Sequence, residues 1–479
     1  MPRIDRVERF DIVILGSGGG GHLLAWHMAR SGHTTAVVER SWIGGSLPNV
    51  AWMPSEKEIS CASILYLARL AKQYRTMTRP VASDMKTVHR RMREVVDRQI
   101  ADHLKSYKTS GAELILGRAR LVEPKTIQVK LDGGGIRLLA ADNVIVNLGT
   151  HDAIPNVPGL ATAHPLTLVD VLELDYLPRH LIVIGGGYRD IELAQAYRRF
   201  GSDVTVVASA PQLMSREDAD ISQEIQHILS DEGIQVILEG EPLHVLGKSR
   251  GEVTVVVRTP STNQTINGTD ILVAVDCMPN TAGLGLKEVG VELDSRGYIL
   301  VNDQLQTSAP GVWAIGECAA GRPFTHISEQ DFSIVRDNLA GGNRNTRDRP
   351  VTYCVSTDPP LARVGLSERE ASRRGIATRV AKLPMDAVPG AQATDQREGF
   401  MKALIGDSDD RILGFMMIGA GAGEVMAAVH AAMLGSLSYS SLADAAFAHS
   451  TMAEGLHLLF SNVPPRAMRQ TPVNLVWSS

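Results

Sequence analysis

Gly16, Gly18 and Gly21 stand in a GxGxxG spacing, and Glu39 follows 18 residues after the last of them. Glycines so spaced leave room for a pyrophosphate against the backbone. An acid roughly 20 residues further on can accept hydrogen bonds from an adenosine ribose. The chemistry implied is dinucleotide binding at a helix N-terminus, where free N–H groups and the helix dipole favour phosphate. In this reading Gly16 allows a tight turn, Gly18 admits the phosphates, and Gly21 lets the helix lie close to the strand. All three glycines are expected to face the pyrophosphate. A second cluster, Gly185-x-Gly187, heads a similar segment. Here Asp190 takes the third glycine position, and Ala208 stands where a ribose-binding acid is expected. A carboxylate in the first helical turn suits the dipole, but it would face a dianionic ligand. With Asp276 as a further acid, this second cleft is expected to bind nicotinamide nucleotides poorly.

The elements that must position these residues are legible. FDIVIL, residues 10–15, is a short β-branched apolar run of the kind buried in a parallel sheet. HLLAWHMARSG then shows helical apolar spacing, and TTAVVER forms a second strand that carries Glu39. HLIVIGGGYRDIELAQAYRRFGSDVTVV, residues 180–207, repeats strand, glycine turn, helix and strand. Two such units in one α/β chain suggest a flavoprotein that also bound, or once bound, a nicotinamide cofactor.

The 479 residues fit about three domains. Lys and Arg number 48 against 53 Asp and Glu, a net charge of -5, which argues against nucleic-acid and polybasic membrane partners. No apolar run approaches the roughly 20 residues of a membrane span. The charged N-terminus does not read as a signal peptide, so a cytoplasmic protein is expected. Cys61, Cys277, Cys318 and Cys354 lie far apart, with no zinc spacing. They read as buried apolar cysteines, and no metal site is expected.

The order of landmarks resembles the flavoprotein disulfide reductases over nearly the whole chain. GGSLPNVAWMPSEK at 44–57 is similar to the family's GGTCxNVGCxPSK, and NVIVNLG at 143–149 to its strand-ATG segment. DCMPNT at 276–281 resembles GRxPNT, TSAPGVWAIGE at 307–317 resembles TSxPGIYAIGD, and AHSTMAE at 448–454 resembles AHPTxxE. STDPPLARVGLSE at 356–368 resembles the start of the interface domain. The resemblance implies two Rossmann-like dinucleotide-binding domains plus an α+β interface domain. An FAD domain would span 1–155 and 285–348, a degenerate NAD(P)-binding-like domain 156–284, and an interface domain 349–479. It further implies FAD held by Gly16, Gly18, Gly21, Glu39, Gly45, Ser46, Ala119, Gly149, Glu317 and Thr325. A homodimer follows, with His449 and Glu454 serving the partner's active site. Thr451-x-x-Glu454 also reads as a capping box.

The departures shape the functional expectation. Leu47 and Trp52 stand at the family's two redox cysteines, and the family's flavin-side Lys is Glu56, opposite the Glu matching Glu192. Two carboxylates there would share a proton unless Lys57 or Arg189 intervened. The expected enzyme is therefore an FAD-dependent oxidoreductase without a redox disulfide, independent of NAD(P)H. It would act on a small organic substrate between Trp52 and His449, with Glu56 or His449 moving the proton. The alternatives are an NAD(P)H-dependent quinone or dye reductase and a flavin-binding scaffold without catalysis.

Overall fold

The structure, a computed structural model, describes residues 7–50, 53–71, 84–274, 276–319, 325–347 and 349–466. The chain divides into two compact units, one of residues 1–213 and 229–349, the other of 214–228 and 350–479.

In the first unit, strands Glu113–Glu123, Thr35–Glu39, Val7–Leu15, Ile136–Val146 and Val312–Ala314 lie parallel in that order. Thr126–Leu131 pairs antiparallel with both long strands, Glu113–Glu123 and Ile136–Val146. The apolar run predicted at 10–15 is the centre of this sheet. Val13 and Leu15 pack on one face with Val144 and Val146, and Ile12 and Ile14 on the other with Leu24, Ala25 and Met28 of helix Gly19–Arg30. Burial on both faces is why the run is continuously apolar rather than alternating.

A second parallel sheet in the same unit orders Asp270–Val273, His180–Ile184, Asp203–Val207 and Gln235–Ile237. Helix Tyr188–Phe200 crosses between the two strands of the repeated motif. An antiparallel sheet of Glu241–Gly247, Val253–Arg258 and Asn263–Gly268 adjoins it, and Asp276–Pro279 pairs with Thr150–Ala153.

The second unit is built on a five-stranded antiparallel sheet: Thr352–Val355, Leu361–Gly365, Ile412–Ile418, Phe400–Gly406 and Thr378–Pro384. Helix Ala422–Leu434 covers its apolar face through Val425 and Val429. Residues 214–228 belong to this unit, although they fall in sequence within 156–284. Polar contacts hold them there: Tyr353 Oη donates to Glu217, and the Glu368 and Arg369 amides donate to Asp218. Lys402, 1% exposed, reaches Asp218, Asp220 and Glu368 at 2.7–2.8 Å and supplies the cation for that acidic group.

Candidate functional site

The first strand ends at Leu15, and the chain must turn at once into the helix starting at Gly19. Gly16 makes the turn at φ +97°, and a Cβ there would lie 2.2 Å from Asn147 O. Asn147 Nδ2 donates to the carbonyls of Gly16 (3.2 Å) and Gly18 (3.0 Å), fixing the loop. The Gly20 amide donates to Ser328 Oγ at 2.7 Å.

Behind this loop lies a cavity of about 620 Å³. Gly16, Gly18, Glu39, Gly45, Ser46, Ala119, Gly149 and Glu317, all proposed from sequence as cofactor residues, line it. Gly21 does not. A Cβ at Gly21 would lie 2.3 Å from Asn147 Nδ2 and 2.8 Å from Gly16 O, so its role is close contact of helix and loop. Thr325 opens helix Thr325–Leu339, which also carries Ser328. Glu56 lies in the first turn of helix Met53–Leu70 and is not among the cavity-lining residues; Trp52 falls outside the described residues.

Glu39 is buried and accepts four hydrogen bonds: from Ser17 N (2.9 Å), Ser17 Oγ (2.7 Å), Arg40 N (2.8 Å) and Ser41 N (2.9 Å). A carboxylate has about four such positions, so a ribose hydroxyl must replace one donor. Ser17 can yield, because its hydroxyl has a second acceptor, Trp42 O, at 3.1 Å. The glycine cradle and this acid suit a dinucleotide such as FAD.

Also on the cavity wall, Glu317 accepts from Thr150 Oγ1 at 2.9 Å and faces Arg189 Nη2 at 3.5 Å. Arg189 projects from the first turn of helix Tyr188–Phe200. Its neighbour Asp190 does not face a ligand, contrary to the sequence expectation. It turns back under the glycine loop, accepts from Gly187 N at 2.7 Å, and would meet a Cβ on Gly185 at 2.4 Å. Burial pushes this carboxyl up to about 7, offset in part by the Gly187 amide and Arg189. The electrostatic objection to a nicotinamide nucleotide therefore fails at this residue.

The sequence leaves two outcomes open at Glu56 and Glu192, a shared proton or an intervening Lys57 or Arg189. The fully buried carboxyl on helix Met53–Leu70 is Glu58, which burial pushes up to about 8 despite its hydrogen bond to Tyr197. Tyr197 Oη lies 3.0 Å from Glu58 Oε1 and 2.8 Å from Val171 O. One hydroxyl proton cannot serve both acceptors. A protonated Glu58 satisfies both contacts by donating to Tyr197 while Tyr197 donates to Val171. The signal was present in the sequence: positions 54, 58, 62 and 65 form the buried stripe of the helix. Asn147 and Ser328, which lock the glycine loop, carried no comparable spacing signal.

In the second unit, His449 Nδ1 lies 3.2 Å from Glu454 Oε2; the imidazole is 97% exposed and the carboxylate 9%. The expected capping box does not form. Thr451 donates to Ala448 O at 2.9 Å, and the Glu454 carboxylate orients His449. The cysteines differ from expectation too: all four are free, but only Cys318 is buried, and Cys354 is exposed.

A Gly-rich βαβ unit with its acid, a second βαβ unit and a third antiparallel domain define a dinucleotide-dependent oxidoreductase. Residues 10–331 match the family model "Pyridine nucleotide-disulphide oxidoreductase", and residues 351–459 match that family's dimerisation domain. The chain belongs to the pyridine nucleotide-disulphide oxidoreductase family. It is 32% identical over 462 residues to the probable pyridine nucleotide-disulfide oxidoreductase RclA of Escherichia coli, covering 95% of this chain and 100% of that protein. It is 30% identical to dihydrolipoyl dehydrogenase of Chlorobaculum tepidum (93% and 95% covered) and 29% identical to mercuric reductase of Staphylococcus aureus (94% and 81%). The structure of the HOCl-induced flavoprotein disulfide reductase RclA superimposes with a TM-score of 0.84 at 30% identity, covering 95% of this chain and all of that one.

These relatives overturn one expectation. An enzyme independent of NAD(P)H and of disulfide chemistry does not agree with membership of the pyridine nucleotide-disulphide oxidoreductase family or with likeness to RclA, a flavoprotein disulfide reductase. The inward turn of Asp190 removes one of the physical reasons given for poor nucleotide binding. No helix among the described residues is long and apolar enough to cross a membrane.

Proposed function

We propose that this oxidoreductase binds FAD in the cavity between Glu39 and Glu317 and is reduced there by NADH or NADPH. The observation that carries the reading is the pair of βαβ units, with the Asp190 carboxylate of the second turned back onto Gly187 N and buried rather than set against a ligand. When bound, FAD would accept a hydride and release it to a second substrate. The glycine loop at 16–18 orients the pyrophosphate, and Glu39 fixes the adenosine ribose. Thr150 and Arg189 hold Glu317 toward the other end of the ligand.

The chain acts as a homodimer in this proposal. Leu434 (71% exposed) and Leu437 (46%) leave apolar surface uncovered in the unit that carries the dimerisation domain. His449 then protonates the product in the partner's site, oriented by buried Glu454. Domain limits near 155, 285 and 349 and a cytoplasmic location complete the proposal.

Anaerobic stopped-flow mixing with NADH and with NADPH tests it. Bleaching of the flavin absorbance by either nucleotide is expected. A flavin that neither nucleotide reduces would refute the reading. The reduced enzyme is then offered lipoamide, Hg(II), Cu(II) and a quinone in turn. His449→Ala is expected to slow reoxidation by about 100-fold, the lower range for general acid catalysis, while leaving reduction by the nucleotide unchanged.

A further inference from the structure

Two groups of residues on the cavity wall differ in chemistry. One is Glu39 with the glycine loop, and the other gathers Thr150, Asp152, Glu317 and Arg189. Three arginines line the cavity: Arg40, Arg118 and Arg189. Arg40 follows Glu39 and donates to Asn280 Oδ1 at 2.8 Å, and Arg118 adjoins Ala119 on the long strand. Arg189 is thus the cation beside Glu317 among the described lining residues.

Its setting is unlike that of a structural ion pair. A guanidinium has five N–H donors and favours two-pronged contact with a carboxylate. Arg189 has one contact with Glu317, and that is long, at 3.5 Å. It retains donors on the cavity wall, with its side chain 35% exposed. Burial opposes its charge, but Glu317 above all, then Cys277, Asp152 and Glu192, hold the pKa above the ordinary arginine value. Glu192, at i+3, lies on the same helix face. Several carboxylates around one loosely bound cation keep it charged and aimed without using up its donors.

We infer that Arg189 is a positioning residue for the redox end of the cofactor: a fixed positive charge, held over the cavity by Glu317, that favours the reduced and more negative form of bound FAD. This rests on the proposed FAD site. A charge placed near the isoalloxazine changes its electronics. The helix that carries this charge is the one whose N-terminus a pyridine nucleotide would approach.

The test is the two-electron reduction potential of the bound flavin, measured by equilibration with a reference dye. It needs no pyridine nucleotide, so it stays separate from the test of nucleotide-dependent reduction. Arg189→Met is expected to weaken reduced FAD relative to oxidised FAD by about tenfold, a fall of about 30 mV. Arg189→Lys, which keeps the charge, should recover most of it. Should the Met variant lose its flavin, Arg189→Gln, which keeps a donor for Glu317, takes its place with the same expected fall. A potential unchanged on removal of the charge, or equal for the Lys and the neutral variant, overturns the inference.

Discussion

The βαβ unit from Val7 to Glu39 and the one from His180 to Val207 have the same order of strand, glycine turn, helix and strand, and differ in what fills the space behind the turn. In the first, the third glycine is kept, and Asn147 enters from a neighbouring strand to hold the loop carbonyls. In the second, the helix carries its own filler: Asp190 folds back on Gly187 N. The acids also change places. Glu39, at the end of its strand, gathers four donors beside the cavity, whereas the second strand runs on to Ala208, which packs against Gly186. The same backbone motif can therefore be stabilised by a distant asparagine or by an internal cap. Only the first arrangement leaves a carboxylate at the end of the strand.

The largest effect should come from giving the first unit a side chain where the second has one. Gly21→Val would drive a Cβ into Asn147, and we expect a loss of about 3 kcal/mol or more, read as collapse of soluble, flavin-loaded protein. A stable yellow variant would mean that Asn147 can move aside. Next is Glu39→Ala, which strands the donors of Ser17, Arg40 and Ser41. A loss of about 2–3 kcal/mol in denaturant midpoint is expected, with FAD affinity down at least tenfold. Equal FAD affinity would show that the acid serves the loop alone.

Third is Glu58, packed on helix Tyr188–Phe200 through Tyr197. Its folded-state pKa of about 8 lies above the ordinary value of 4.5, so its contribution is complete below pH 4.5 and is lost as pH rises through 8. Glu58→Gln should flatten stability over that window and raise it at pH 8 by about 1–3 kcal/mol, since a fully buried charge costs several kcal/mol. Chemical denaturation at pH 5, 6.5 and 8 reads this, and parallel wild-type and variant curves would remove Glu58 from the pH response. The smallest effect is expected from Asp190→Asn. Its raised pKa makes the same kind of contribution, lost between about pH 4 and 7. Because the side chain faces inward, the dissociation constants for NADH and NADPH should change less than about threefold, under about 0.7 kcal/mol. A tenfold tightening would return the carboxylate to the nucleotide cleft.

Much of this site was legible because its requirements are local. A strand followed at once by a helix needs glycine at the turn, and an acid at the next strand end is set by the length of the intervening helix. Gly16, Gly18 and Glu39 follow from that spacing, and Gly45, Ala119, Gly149 and Glu317 followed from motif order. Asp190 was misjudged because a position in sequence does not say which way a side chain leaves the first turn. The Thr451–Glu454 box failed for a related reason: spacing allowed a cap, but His449 offered the carboxylate a competing partner.

The sequence by itself determined the order of the two βαβ units and, through motifs that resemble a family, most of the residues that line one cavity. The βαβ order depends on periodicity and on short-range steric needs that any fold containing the segment must meet. Only the tertiary structure decided where charges and protons reside: on buried Glu58, inside the cap at Asp190, and at Arg189 across from Glu317. Those outcomes depend on burial and on partners distant in the chain, as Glu58 is from Tyr197 and Asn147 from Gly16. Desolvation and hydrogen bonding, which set each proton's place, have no period in the sequence.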